Sequence, residues 1–203
     1  DLNQITSSSG GGALNCGSSV THLLVESSSF FSCKTTSNVA GAIQFSTGKG
    51  QCVLYRVCGN DCCTTCSGTS YEQFAYIVVN NVAINKDYVN YTSIARCVNE
   101  KSDSRYILVL CFGKICCPSV NISMNKCQYH TGLYCDSFTD SSSVTCSLSY
   151  STFADNNAFG HTCINFNNGN AKYEMKCCNI LRNTQVTLST IGTIRIYGNV
   201  MIS

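Results

Sequence analysis

At a loose interval along this chain an apolar residue is followed three places later by Asn or Cys. The pairs are Phe30 and Cys33, Val57 and Asn60, Ile94 and Cys97, Met124 and Cys127, Phe153 and Asn156, and Ile180 and Asn183. Val200 opens a further copy that stops at Ser203. Successive apolar positions lie 27, 37, 30, 29, 27 and 20 residues apart. A recurring unit of that size constrains the fold more than composition does. Each unit leaves an apolar face that only its neighbours can cover.

Helical repeats need long stretches at helical spacing. Here the units are short β-rich runs broken by Gly, Ser, Asn and Thr. Gly10-Gly11-Gly12 turns into Ala13-Leu14, and 29 residues later Gly41-Ala42-Ile43 repeats that start. Phe74 to Val79 and Arg105 to Phe112 read as buried strands, with residues 80–90 as an insertion that accounts for the longest interval. The pattern predicts an all-β parallel β-helix of about seven coils. Phe30, Val57, Ile94, Met124, Phe153 and Ile180 are expected to form one internal column. Cys33, Asn60, Cys97, Cys127, Asn156 and Asn183 are expected to form a ladder beside it. An inward Asn satisfies its amide on the next coil, and a Cys there packs as a small apolar group or as half of a bridge. Residues 1–9 read as a polar linker or cap and residues 10–203 as one domain, with the break inside a repeat pointing to a piece of a longer chain.

Gly11-Gly12-Ala13-Leu14, Gly41-Ala42-Ile43 and Phe153-x-x-Asn156 resemble the paired short repeats of polymorphic outer-membrane proteins. Those repeats combine Gly-Gly-Ala plus an aliphatic residue with Phe-x-x-Asn. The resemblance implies a right-handed parallel β-helix of a secreted or surface protein, commonly an adhesin or extracellular structural component. Cys in place of Asn at positions 33, 97 and 127 departs from the pattern.

Charged residues make up 12% of the 203 positions and the net charge is +2. That is about half the usual charged share. Aromatic residues do not interleave with Lys or Arg along the sequence, so no nucleic-acid partner is expected. Seventeen cysteines point to an oxidising, extracellular or cell-surface location with most thiols paired. The odd number leaves at least one thiol free or paired outside the chain. No apolar run reaches the length of a membrane-spanning helix.

Asn90-Tyr91-Thr92 and Asn121-Ile122-Ser123 are N-glycosylation sequons. With Ile122 and Met124 facing inward, Asn121 faces out, and the same alternation turns Asn90 inward. Cys62-Cys63-x-x-Cys66 and Cys116-Cys117 have the density of a zinc site, and Cys63-x-x-Cys66 the spacing of a redox motif. Adjacent cysteines on a strand point to opposite faces, so disulfides and packed thiols account for them, and no metal or cofactor is expected.

A glycan-cleaving enzyme would need paired carboxylates on one outer face. Asp61, Asp87, Asp103, Asp136, Asp140, Asp155, Glu26, Glu72, Glu100 and Glu174 are scattered, and His22, His130 and His161 are isolated. The expectation is a non-catalytic extracellular structural or surface protein, an adhesion surface or filament component. Its contacts would be with proteins, including end-to-end self-stacking, or with a glycan. A polysaccharide lyase or glycoside hydrolase on the same scaffold is the alternative.

Overall fold

The computed structural model describes residues 1–48, 50–66, 73–98, 104–158, 163–184 and 188–203. The chain winds through three parallel sheets in turn and returns to the first, so each coil lays one strand beside the strand of the coil before. Sheet one has eight strands, sheets two and three have seven each, and two small sheets of three and two strands line a corner. This is a parallel β-helix of about seven coils, as the repeat requires.

Sheet one runs from Leu2–Asn3 through Ser29–Phe31, Cys58–Asn60, Ser93–Ala95, Asn121–Ser123, Thr152–Ala154 and Asn179–Leu181 to Met201–Ile202. Sheet two comprises Leu14–Cys16, Ile43–Ser46, Ala75–Val78, Leu108–Cys111, Leu133–Asp136, Ile164–Phe166 and Leu188–Thr190. Sheet three comprises His22–Glu26, Gln51–Tyr55, Lys86–Asn90, Lys114–Pro118, Val144–Ser149, Lys172–Lys176 and Thr193–Tyr197. Residues 1–9 contribute Leu2–Asn3 and Thr6–Ser7 to the stack.

Alternation decides which residues go inside. In Ile43–Ser46 the first and third side chains are buried and the others half-exposed. Ile43, Ala75, Leu108, Leu133 and Ile164 therefore stack as one internal column of sheet two. Gly41, from the Gly-Ala-Ile motif, sits where backbones approach closely. A Cβ there would lie 2.3 Å from the Gln73 carbonyl oxygen, so only glycine fits.

The internal column of sheet one is Leu2, Phe30, Gly59, Ile94, Ile122, Phe153, Ile180 and Ile202. Phe30, Ile94, Phe153 and Ile180 stand where the motif puts them. Val57 and Met124 do not. Val57 is buried two places earlier, in the turn that leads into sheet one, and the column position is Gly59. Met124 is exposed, two places after the column residue Ile122. Gly59 escapes an apolar pattern because its volume comes from elsewhere. A Cβ at Gly59 would lie 2.3 Å from the Phe74 ring, which packs edge-on against Phe30.

Two corners flank sheet one, and each uses a left-handed residue. Before it come Ser27, Arg56, Tyr91, Ser119, Tyr150 and Cys177; after it come Gln4, Ser32, Asp61, Arg96, Met124, Asp155 and Arg182. None is glycine, and such a conformation costs an L-residue about 1–2 kcal/mol. The coil-to-coil hydrogen bonds continue through these corners. The Met124 amide donates to the Ala154 carbonyl at 3.0 Å and that of Tyr150 to the Lys176 carbonyl at 2.9 Å. Met124 is thus a corner residue, which explains its exposure.

The ladder lies three places after each column residue: Cys33, Cys62, Cys97, Asn125, Asn156 and Asn183. Asn60 instead faces outward on sheet one, in register with Phe31 and Ala95. Cys127 is buried two places beyond the ladder, beside Ala158. Asn156 accepts from the Asn125 amide at 3.1 Å and donates to the Ile122 carbonyl at 2.8 Å, both on the preceding coil. Asn125 does the same toward Cys97 and Ile94, and Asn183 toward Asn156 and Phe153. The Cys33 and Cys62 thiols supply only the donor half, to the Leu2 and Phe30 carbonyls at 3.5 Å.

Two stability outcomes follow from these positions. Phe153→Ala should cost about 3–5 kcal/mol in equilibrium unfolding, and a loss below about 1 kcal/mol would contradict its buried place. Asn156→Ala leaves the Asn125 amide and the Ile122 carbonyl unpaired and should cost about 2–5 kcal/mol. Asn156→Cys restores a weak donor and should cost less than the alanine variant under the same denaturant.

Candidate functional site

The outward side chains of sheet three form the most chemically distinctive surface. One column runs His22, Gln51, Lys86 and Lys114 over four coils, and beyond a register shift at Val144 it resumes with Val144, Lys172 and Thr193. The next includes Tyr88, Cys116, Ser147, Glu174 and Arg195. The third is Glu26, Tyr55, Asn90, Pro118, Ser149, Lys176 and Tyr197, bordered by Arg56, Tyr91 and Tyr150 at the corner. Cations sit over tyrosine rings here: Arg56 over Tyr55 at 5.0 Å, Lys86 over Tyr88 at 5.7 Å and Arg195 over Tyr197 at 5.0 Å. Lys176 lies between the Tyr150 and Tyr197 rings. The Tyr197 hydroxyl donates to Glu174.

Six of the chain's thirteen Lys and Arg stand on or beside this face, with two of its eleven carboxylates, Glu26 and Glu174. None of the six makes an ion pair with a described residue; the ion pairs among those residues include Lys34 with Asp61 and Arg182 with Asp155, both off this face. A cleft of about 330 Å³ opens at one end, lined by Ser142, Val144, Lys172, Tyr173, Thr193 and Arg195. Sequence reading missed this surface. Tyr55-Arg56, Lys86-x-Tyr88 and Arg195-x-Tyr197 are local pairs in the sequence, but the pairs lie far from one another in the chain, and only the coil register gathers them on one face.

Among the described residues, the carboxylates of a glycan-cleaving reading are dispersed. Asp61 and Asp155 occupy equivalent corner positions three coils apart. Arg182 engages both Asp155 oxygens at 2.7 Å and holds that carboxyl below its usual range. Asp140 accepts from Ser142 and Ser143 and is likewise lowered. Asp136 is half-buried, and desolvation raises it. Glu72, Glu100, Asp103 and His161 lie outside the described residues. His130 stacks on Tyr106 with ring centres 4.6 Å apart, and His22 is exposed on the first strand of sheet three.

Asp87 is different. It faces the core, between Cys52 and Ile115 of the neighbouring coils, and has no exposed surface. Neither carboxylate oxygen has a hydrogen-bond partner. Burial alone pushes its pKa well up, because a charge in this interior has neither water nor a counter-ion.

No disulfide bridge joins any of the seventeen cysteines in the structure, and eleven of them are buried. The expectation that most are paired finds no bridge here; the β-helix interior uses them as small packing groups. Cys33, Cys62 and Cys97 form a ladder of thiol–thiol contacts. Cys135 contacts Cys146 across the core. Contact with Cys62 and burial raise Cys33, and burial raises Cys117 and lifts Cys163 to about 12, so these are poor nucleophiles. Cys116 faces out while Cys117 faces in. Among the described residues no group of three or more His, Cys, Asp or Glu could hold a metal ion.

Asn121 faces outward on sheet one and its Nδ2 donates to Ser93 at 3.3 Å. Asn90 lies in the outer column of sheet three, not inward, because its strand ends before the corner at Tyr91. Its Oδ1 is nonetheless buried without a partner, and the Thr92 hydroxyl is buried and donates to the Asn90 carbonyl. Among the described residues no helix is long and apolar enough to cross a membrane. No known family model matches the chain, and neither a curated protein nor a solved structure matches it.

The buried carboxyl generates a pH prediction. Asp87 holds its proton more tightly folded than unfolded, so its contribution to stability is complete below about pH 4, the unfolded value. Stability is then lost as pH rises from there toward the folded pKa. Asp87→Asn removes that slope. The variant's stability relative to wild type, measured by urea unfolding, should grow steadily as pH rises above about 4. A pH-independent difference would contradict an uncompensated buried carboxyl.

Proposed function

We propose that this chain is a non-catalytic structural or surface component, a cysteine-rich β-helix whose rigid outer face serves adhesion. The observation that carries this reading is sheet three. Its seven strands lie side by side, and cations with neighbouring tyrosines stand on or beside the second, third, sixth and seventh, with Lys114 on the fourth. Among the described residues, the carboxylates that a glycan-cleaving mechanism would pair are dispersed over separate corners, loops and sheets, and Asp87 is buried. A solenoid suits contact over an extended partner because its exterior repeats with every coil.

An extracellular or cell-surface location is part of the proposal. It is supported by the 12% charged composition, by the outward sequon at Asn121, and by the likeness of the Gly-Gly-Ala-Leu and Phe-x-x-Asn segments to polymorphic outer-membrane protein repeats. Asn121 is the glycosylation position we favour over Asn90, whose sequon threonine is buried. In an oxidising compartment, contacting thiols such as Cys135 and Cys146 are the first candidates for pairing. Association with a second copy is part of the same reading, since a solenoid repeats its surface with every coil. That would make the protein a filament component as well.

Labelling of intact source cells with a membrane-impermeant amine reagent tests the location. The protein should be labelled before lysis; recovery only in an unlabelled cytosolic fraction would overturn the extracellular reading. Incubation with polygalacturonate and with neutral glucans should release no new reducing ends, and chain cleavage would overturn the non-catalytic one.

A further inference from the structure

We propose that the outer face of sheet three binds an extended acidic polysaccharide laid along the stack. The inference deepens the adhesive reading by naming the ligand class. Its first support is the placement of charge. Lys86 and Lys114 are direct neighbours on adjacent strands, about 4.8 Å apart along the stack. Like charges set opposite one another destabilise a sheet. No carboxylate stands on this face in either strand: their other outward residues are Tyr88 and Asn90, and Cys116 and Pro118. The fold therefore carries an unneutralised pair that a ligand anion would relieve.

The second support is continuity. Arg56 follows the second strand of sheet three, Lys86 and Lys114 stand on the third and fourth, Lys172 and Lys176 on the sixth, and Arg195 on the seventh. The cations thus run along the axis, and at one end Lys172 and Arg195 line the cleft. A linear polymer with an anion on its sugar units meets such a row with successive residues. The coil repeat is close to the length of one pyranose in an extended glycan. Tyrosine hydroxyls between the cations supply further hydrogen bonds for the sugar hydroxyls.

Alternative polyanions fit less well. Single-stranded nucleic acid needs open aromatic rings on which bases stack. Here the rings of Tyr55, Tyr88, Tyr150 and Tyr197 are engaged by the protein's own cations. An extended acidic peptide is recognised best at a sheet edge, through main-chain hydrogen bonds, and this is a sheet face.

The test is titration calorimetry on the purified chain at low ionic strength. Size-defined oligogalacturonate is the carboxylated probe and heparin oligosaccharide the sulfated one. Neutral dextran, oligo(dT) and polyglutamate are the comparisons. At least one acidic glycan should bind, more tightly than any comparison, with affinity that falls as salt is added. Lys86→Gln/Lys114→Gln should weaken it at least about tenfold. Arg96→Gln/Lys126→Gln removes the same charge from the opposite corner and should change it less than about twofold. Lys172→Gln/Arg195→Gln, in the cleft, is the second variant should the first fail to fold. The proposal is overturned if neither acidic glycan binds at about 1 mM. It is equally overturned if both faces lose affinity alike, or if oligo(dT) or polyglutamate binds more tightly than both glycans. Failure here leaves surface labelling untouched, and cleavage of a bound glycan would overturn only the non-catalytic reading.

Discussion

The coil-to-coil hydrogen bond at the corner after sheet one is the interaction on which the stack depends. A parallel β-helix bends its backbone several times per coil, and each bend threatens to bury amides and carbonyls without partners. Asn125, Asn156 and Asn183 solve this by turning side-chain amides into copies of a strand bond. Each accepts from one backbone group and donates to another on the coil before. In the first half of the stack Cys33 and Cys62 take over the donor role with weaker thiols. Sulfur is a poor acceptor, so the cysteine half of the ladder satisfies fewer backbone groups and relies more on packing.

Corner geometry and core volume are coupled. Among the described residues, thirteen of the sixteen left-handed non-glycine residues fall in the two columns beside sheet one. Each corner costs backbone energy, offset by the hydrogen bonds that pass through it. Because the corners recur at fixed places, the side chains between them must fill the same cross-section on every coil. Where sheet one offers Gly59, Phe74 fills the gap. Volume is conserved across the section, not at each position, as expected of an interior packed to crystal-like density.

The exterior is free of that constraint, and the three faces diverge. Sheet three gathers cations and tyrosines, while the corner after sheet one carries the Asp155–Arg182 pair. Alternation normally keeps charge on the outside. Asp87 is the exception, an ionisable group in an otherwise apolar column whose charge the fold leaves uncompensated. Cysteine reads as chemistry in a sequence but mostly as filler in the structure, since burial raises the pKa of most of the buried thiols.

The sequence by itself determined that the chain is a β-solenoid, because short alternating runs at a near-constant interval can bury their apolar faces only on one another. It also marked Phe30, Ile94, Phe153 and Ile180 as column residues and Cys33, Cys97, Asn156 and Asn183 as ladder residues. It misplaced two units by two residues. A shift of two preserves the apparent alternation in the sequence, so Val57-x-x-Asn60 and Met124-x-x-Cys127 imitate the motif that Gly59-x-x-Cys62 and Ile122-x-x-Asn125 carry, although the fold turns Met124 and Asn60 outward. Only the tertiary structure could choose between those registers, because the choice rests on corner conformation and on volume supplied by Phe74. The basic face was also beyond the sequence: Lys86 and Lys114 are 28 residues apart in the chain and become neighbours only when the coils stack.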